Sequence, residues 1–333
     1  MQRVLAGDIG GTHVRLALVE VDEERARVVA EERFAVAAHT GAAEPLRRFL
    51  RALGEGAPRR ACLGVAGTVS GRRVEGVNTD WVVDADALEE ATGLERVELV
   101  NDFFAAARGV DLLGPQDVLA VGEGRAARAD QPQAVLGAGT GLGEALRLPA
   151  PGNGWRVVGT EGGHRGFAPR TPLQDRLLVW LRARHGRVST ERVLSGPGLA
   201  AIYRFLVAAE GRPPAPDVES APPLRQPERI SALAEEHPTC AEALSVFLDV
   251  YGAEAGDLAL TVLAGGGVYV AGGIAPAVLG PPVRRARFRR AFEDKGRLRS
   301  FVAAIPVWVV TSPHLGLLGA AAVAAAPTPP CAP

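Results

Sequence analysis

The chain has 333 residues, room for about two domains at roughly 150 residues each, so a disulfide-stapled miniprotein is excluded. Hydrophobic residues make up 47% and charged ones 23%, with Gly 40 and Pro 25 distributed as turns, which is the composition of a globular protein and not of a disordered one. Lys+Arg 37 against Asp+Glu 38 leaves a formal net charge of −1, so no chain-wide basic field exists to hold nucleic acid or an anionic membrane, and neither partner is expected.

Met1 to Ala6 leads straight into a strand, and no uncharged apolar stretch reaches the roughly 18 residues a membrane span needs. Cys62, Cys240 and Cys331 lie far apart without a CxxC pair, which argues against a disulfide framework and a zinc knuckle and fits a reducing compartment. A cytoplasmic protein is expected. Val4–Ala6, the glycine turn after Asp8 and Val14–Val19 read as a hairpin, and Val28–Val36 as a third strand. Leu46, Phe49, Leu50 and Leu53 recur at helical spacing before an apolar strand at Ala61–Ala66. Asp84 and Asp86 carry helix-start chemistry, Gly93 a stop, and Val97–Val100 a buried strand ending in Asn101-Asp102.

A second strand and glycine turn follows at Ala134–Gly143, and beyond Pro172 the pattern becomes mainly helical with long amphipathic segments. The prolines from Pro213 to Pro227 predict an exposed irregular loop. A third strand and glycine turn spans Val268–Ile274, then comes a strand at Ile305–Val310, a helix at Leu315–Ala325 and a frayed tail from Pro327. The recurrence of strand and glycine turn suggests two related α/β halves.

Glycine turns after strands let backbone N–H groups approach phosphate oxygens without Cβ obstruction, although any one of them also serves as a plain hairpin. In Asp8-Ile-Gly-Gly-Thr12 an acidic residue at a strand end can hold Mg²⁺ through water while Thr12 donates to a phosphoryl oxygen; the simpler reading makes Asp8 a turn residue. No Gly-x-x-x-x-Gly-Lys-Ser/Thr occurs, so a P-loop NTPase is excluded. Asp102, at the end of an apolar strand, is the candidate base, with helix capping as its alternative. In Glu161-Gly-Gly-His164 two glycines permit a sharp loop that brings both side chains to one ligand. His164 alone reads as a satisfied structural histidine, and Glu191 as a carboxylate at a helix start.

With these motifs in order, the chain resembles the bacterial glucokinases of the hexokinase/actin-like ATPase superfamily over nearly its whole length. The match rests on Asp8-Ile-Gly-Gly-Thr12-x-x-Arg15, Leu136-Gly-Ala-Gly-Thr-Gly-Leu-Gly143 and Gly266-Gly-Val-Tyr-Val-Ala-Gly-Gly-Ile-Ala-Pro276. Between and after them come Leu99-Val-Asn101-Asp102-Phe103, Glu161-Gly-Gly-His164, Glu191-Arg-Val-Leu-Ser-Gly-Pro-Gly198 and Phe292-Glu-Asp-Lys-Gly296. The resemblance implies a two-domain actin-like ATPase (ribonuclease H-like) fold with the sugar site in the interdomain cleft. It implies a small domain of about residues 1–112 plus 303–326, a large one at 113–302 and a disordered tail at 327–333. It implies transfer of the γ-phosphoryl of MgATP to the 6-hydroxyl of D-glucose, and a homodimer for which helices around 238–263 supply an interface.

Residue by residue, the resemblance gives Asp102 as base and Asn101, Asp102, Glu161, His164 and Glu191 as sugar contacts. Asp8, Gly10, Gly11, Thr12, Gly139, Thr140, Gly141, Gly272 and Gly273 become the nucleotide contacts, with Asp8 holding Mg²⁺ through water. The cysteine-rich zinc motif of the related repressor/open-reading-frame/kinase sugar kinases is missing, so no zinc is expected. His13, Thr68 and Asn78-Thr-Asp-Trp81 depart from the family pattern without removing a catalytic group, and Glu144 and Arg147 put charge near the expected nucleotide. A kinase for another hexose and a non-catalytic sugar-binding regulator are the competing readings.

Overall fold

The computed structural model describes residues 1–22, 25–76, 81–124 and 126–326. The tail at 327–333, with Cys331, and the motif residues 78–80 lie outside the described residues. Two compact units are present: Met1–Asp117 with Val157–Gly159 and the chain from Ser312 onward, and Val118–Arg156 with Thr160–Thr311.

In the first unit β1 (Gln2–Ile9) and β2 (His13–Val21) form the expected hairpin, antiparallel from Gln2↔Val21 to Ile9↔Val14, and β3 (Ala26–Ala35) extends it. After α1 (Ala43–Leu53), β4 (Arg60–Val65) returns parallel to β1. A small antiparallel sheet of β5 (Gly67–Ser70), β6 (Arg73–Gly76) and β7 (Val82–Asp84) precedes α2 (Ala85–Thr92), β8 (Arg96–Asn101) and α3 (Asp102–Gly109). The Asp84 carboxylate accepts the Ala87 N–H at 3.1 Å and Gly93 ends α2 with φ 75°, as the start and stop residues predict. The main sheet runs β3-β2-β1-β4-β8.

Strand alternation divides the core between two faces. Leu5 and Ile9 pack with Leu16, Leu46, Phe49 and Leu88 on one, while Val4 and Ala6 pack with Ala17, Cys62 and Leu317 on the other. Because helices cover both faces, β1 reads as an unbroken apolar run. The C-terminal helix Leu315–Ala325 crosses α3 where Gly109, Gly319 and Ala105 meet, since a Cβ on Gly319 would overlap the Ala105 carbonyl. Gly319→Ala is expected to cost roughly 1–3 kcal/mol by forcing the helices apart. Thermal unfolding checks this, and an unchanged midpoint would show that the crossing has room.

The second unit contains β9 (Val118–Ala120), β10 (Gln133–Ala138), β11 (Leu142–Ala150) and β12 (Gly154–Thr160). Then come α4 (Pro172–His185), α5 (Gly196–Ala208), α6 (Pro216–Glu219), α7 (Gln226–Ala232) and α8 (Pro238–Val262). β13 (Gly267–Ala271), α9 (Ile274–Leu279), α10 (Pro282–Glu293), α11 (Arg299–Ala303) and β14 (Val307–Val310) complete it. Its sheet runs β12-β11-β10-β13-β14-β9. β10 pairs antiparallel with β11 and parallel with β13, which pairs parallel with β14. Its first five strands repeat the order of the first unit, so the recurring glycine turns mark the same place in two copies of one plan.

Three expectations change. The proline-rich stretch holds α6 and α7, because Pro216 and Pro227 sit in first turns, where a missing N–H costs nothing. α8 is not amphipathic: Cys240, Leu244, Phe247, Tyr251, Ala255 and Leu258 are all buried, so this helix is a core element and little of it remains for a dimer interface. Residues 303–311, expected with the first unit, cluster with the second because β14 pairs with β13. Among the described residues no helix is long and apolar enough to cross a membrane.

Candidate active site

In the first unit the candidate residues stand at the carboxyl ends of neighbouring parallel strands. Ile9 is in register with Val65, and Val65 with Asn101, so Asp8 and Asn101-Asp102 lie at one edge of the sheet, where ligands of α/β folds bind. The turn after β1 is closed by Gly10 N–H donating to the His13 carbonyl at 3.0 Å, with His13 Nδ1 3.0 Å from the exposed Thr12 hydroxyl. Across the hairpin Asp8 faces Arg15. Burial holds the Asp8 carboxyl above its usual range, partly offset by Arg15 and Arg33 and reinforced by Glu31. Arg15 is itself fixed, donating to Glu31 Oε1 at 3.0 Å and to the Pro313 carbonyl at 2.8 Å.

Asn101, not Asp102, is the cap of α3. Its side-chain oxygen accepts the N–H groups of Phe103 and Phe104 at 2.9 and 3.1 Å, and its Nδ2 donates to the Gly67 carbonyl at 3.3 Å. Asp102 is the first helical residue, half-buried, with Oδ1 accepting the Phe103 N–H at 2.9 Å. Gly64 lies under the same helix: a Cβ there would come 3.3 Å from the Ala105 Cβ, so α3 packs closely on β4.

In the second unit the remaining candidates converge. Gly139 N–H donates to the Gly141 carbonyl at 2.8 Å, and the first N–H of α5, at Gly196, donates to the Gly139 carbonyl at 2.8 Å. The second glycine turn thus sits on a helix N-terminus, whose dipole favours anions. Gly272 reaches the same place with φ 82°; a Cβ on it would come within 2.7 Å of the Ala138 carbonyl oxygen. Glu191 Oε2 accepts the Leu142 N–H at 2.9 Å, directly after the turn. His164 lies between two carboxylates, Nε2 3.7 Å from Glu161 Oε2 and Nδ1 3.9 Å from Glu191 Oε1. The loop that presents it needs both glycines, because a Cβ on Gly162 would overlap the Glu144 carboxylate and one on Gly163 the Leu142 carbonyl.

A family model described as Glucokinase matches residues 5–327. The chain is 39% identical over 318 residues to a glucokinase of Yersinia enterocolitica, covering 96% of this chain and 95% of that one. The chain belongs to the glucokinase family. Among solved structures, a glucokinase from an Antarctic psychrotroph superposes with a TM-score of 0.80 at 32% identity, covering 97% of this chain and 99% of that one. A ROK family glucokinase from Streptomyces griseus, solved in complex with glucose and AMPPNP, shares the fold with a TM-score of 0.65 at 23% identity, covering 97% and 99%. The fold is accordingly the α/β actin-like ATPase fold of the glucokinases, as the motifs implied, and each unit carries its own copy of the sheet.

For a glucokinase, two features escaped sequence reading. The buried Tyr251 hydroxyl on α8 accepts the Ala138 N–H at 3.1 Å and donates to the Ala271 carbonyl at 3.3 Å, tying together the strand ends that precede the second and third glycine turns. A tyrosine inside an apolar helix gives no hint of this, because its partners are backbone groups of distant strands. The charges of Glu144 and Arg147 are also not presented to a nucleotide as expected. Both are 1% exposed. Arg147 donates to Gln133 Oε1 at 2.7 Å and stacks on Trp155, and Glu144 pairs with Arg165.

Proposed function

We propose that the chain transfers the γ-phosphoryl group of MgATP to the 6-hydroxyl of D-glucose, giving glucose 6-phosphate and ADP. The observation that carries this reading is the convergence of Glu161, His164 and Glu191 beside the second glycine turn. Carboxylates and an imidazole at one spot suit a molecule whose hydroxyls each donate and accept, and a sugar with a displaced hydroxyl leaves one of them unpaired. Asp102 accepts the proton of the 6-hydroxyl as its oxygen bonds to phosphorus and the bond to the leaving ADP oxygen breaks. Asn101 reaches sugar only through Nδ2, its oxygen being occupied by the α3 cap.

The backbone N–H groups of Gly11, Thr12, Thr140 and Gly141, the Thr12 and Thr140 hydroxyls and the Gly272-Gly273 turn receive the nucleotide, while the Gly10 and Gly139 N–H groups close their turns on the His13 and Gly141 carbonyls. Mg²⁺, when bound with ATP, neutralises charge developing on the phosphoryl oxygens. Asp8 fits that ion through water: a carboxyl raised by burial at a strand end gains from a nearby cation. Two buried free thiols, Cys62 and Cys240, suit a cytoplasmic enzyme. Ranking kcat/KM over glucose, mannose, fructose and N-acetylglucosamine tests the substrate. Glucose is expected first by at least roughly tenfold, one unpaired buried polar group costing about 1–3 kcal/mol; another hexose in first place would reassign it.

A further inference from the structure

Beneath the Glu161–His164 loop lies a pair of carboxyl groups that phosphoryl transfer does not use. Glu144 on β11 is 1% exposed and Glu254 on α8 12%. Arg165 Nη2 donates to the two Glu144 oxygens at 3.2 and 3.1 Å and also to Glu254 Oε1. The Nε of the same guanidinium donates to the Gly162 carbonyl at 3.0 Å, and the Arg165 N–H reaches that carbonyl at 2.9 Å. The Arg165 carbonyl accepts the Thr190 N–H at 2.8 Å, one residue before Glu191. The Thr160 hydroxyl donates to the Glu144 carbonyl at 3.1 Å and accepts the Gly162 N–H at 3.2 Å. The segments that aim Glu161, His164 and Glu191 therefore hang on one arginine and the acid pair that grips it.

We propose that Glu144 and Glu254 are positioning residues for sugar binding, clamping Arg165 so that Glu161, His164 and Glu191 stand at the spacing that receives a hexose. This rests on the glucokinase reading given above. Two carboxylates facing one guanidinium carry an excess negative charge. Burial, followed by Glu254, pushes Glu144 up to about 8 against the lowering effect of Arg165. Below that pH Glu144 keeps its proton, and above it the proton is lost and the new carboxylate is repelled by Glu254 under the loop. Lys295, itself paired with Asp257 and near Arg170, faces Glu254, and the titratable Glu161, His164 and Glu191 belong to the segments on the sugar side.

The test compares wild type, E144Q, R165M and the double variant E144Q/E254Q in steady-state kinetics across neutral to alkaline pH. The double variant removes the charge that grips Arg165, and R165M removes the arginine. Both are expected to raise the KM for glucose roughly tenfold or more, with kcat changed by less than about twofold and the KM for ATP raised less than that for glucose, because Glu191 keeps its own bond to the Leu142 N–H beside the glycine turn. E144Q keeps the shape and hydrogen bonds of the protonated carboxyl and leaves Glu254 to pair with Arg165. It is expected to hold the glucose KM within about threefold of wild type and to abolish the wild-type rise in KM above pH about 8. A wild-type glucose KM in R165M and the double variant, or losses in kcat and ATP affinity as large as those for glucose, would overturn the clamp. Should the double variant not fold, as read by circular dichroism, R165M and the pH profile of E144Q decide the matter. A wild type without glucose turnover counts against the function instead, and calorimetric titration of glucose into the same variants still reads the clamp.

Discussion

Asp102→Asn is expected to lower kcat for glucose by roughly 10²–10⁴-fold, the usual contribution of a positioned base, while calorimetry still detects glucose binding. The fold should survive, because Asn101 and not Asp102 supplies the α3 cap, and an amide oxygen at position 102 still accepts the Phe103 N–H. The remaining cost is the loss of a negative charge at the helix N-terminus, about 0.3–1 kcal/mol. A variant with near-normal turnover would remove Asp102 as the base. A variant that also loses glucose binding would make Asp102 a sugar contact first.

The second large effect concerns Glu191, whose two oxygens face different parts of the site. Oε2 accepts the Leu142 N–H beside the second glycine turn, and Oε1 lies 3.9 Å from His164. Glu191→Ala leaves the Leu142 N–H unsatisfied, worth about 1–3 kcal/mol, and removes the carboxylate that faces the histidine. We therefore expect the KM values for glucose and for ATP to rise together, each by roughly tenfold or more. His164→Ala, in contrast, touches only the sugar side and should raise the glucose KM alone. Steady-state kinetics with each substrate varied in turn separates the two patterns; equal responses in both variants would mean that Glu191 does not link sugar and nucleotide.

How much of this was legible in the sequence depends on the range of the contact. The three glycine turns, the Asp84 cap and the Gly93 stop are local, and each stands where its turn chemistry predicts. Asp102 and Asn101 were also placed at the end of the right strand. Their division of labour was not visible, because which of two adjacent residues caps a helix depends on the backbone angle at the junction; Asn101 adopts φ −62° and ψ 145°, outside the helix. The acid pair was out of reach for a different reason: Glu144 and Glu254 sit on a strand and a helix more than a hundred residues apart. In sequence Glu144 looked like a charge beside a phosphate turn. α8 misled because small residues such as Gly252, Ala255 and Gly256 break up its apolar pattern, whereas in the core they let α10 pack closely, a Cβ on Gly252 overlapping the Phe288 carbonyl.

Phosphoryl transfer to glucose is read by a coupled assay for glucose 6-phosphate with the full chain, glucose and MgATP, run beside a measurement of ADP release. Equal amounts of the two products are expected, formed only when glucose and ATP are both present. Glucose bound in calorimetry with no glucose 6-phosphate formed would contradict that transfer and would leave a sugar-binding protein that keeps the fold without the chemistry.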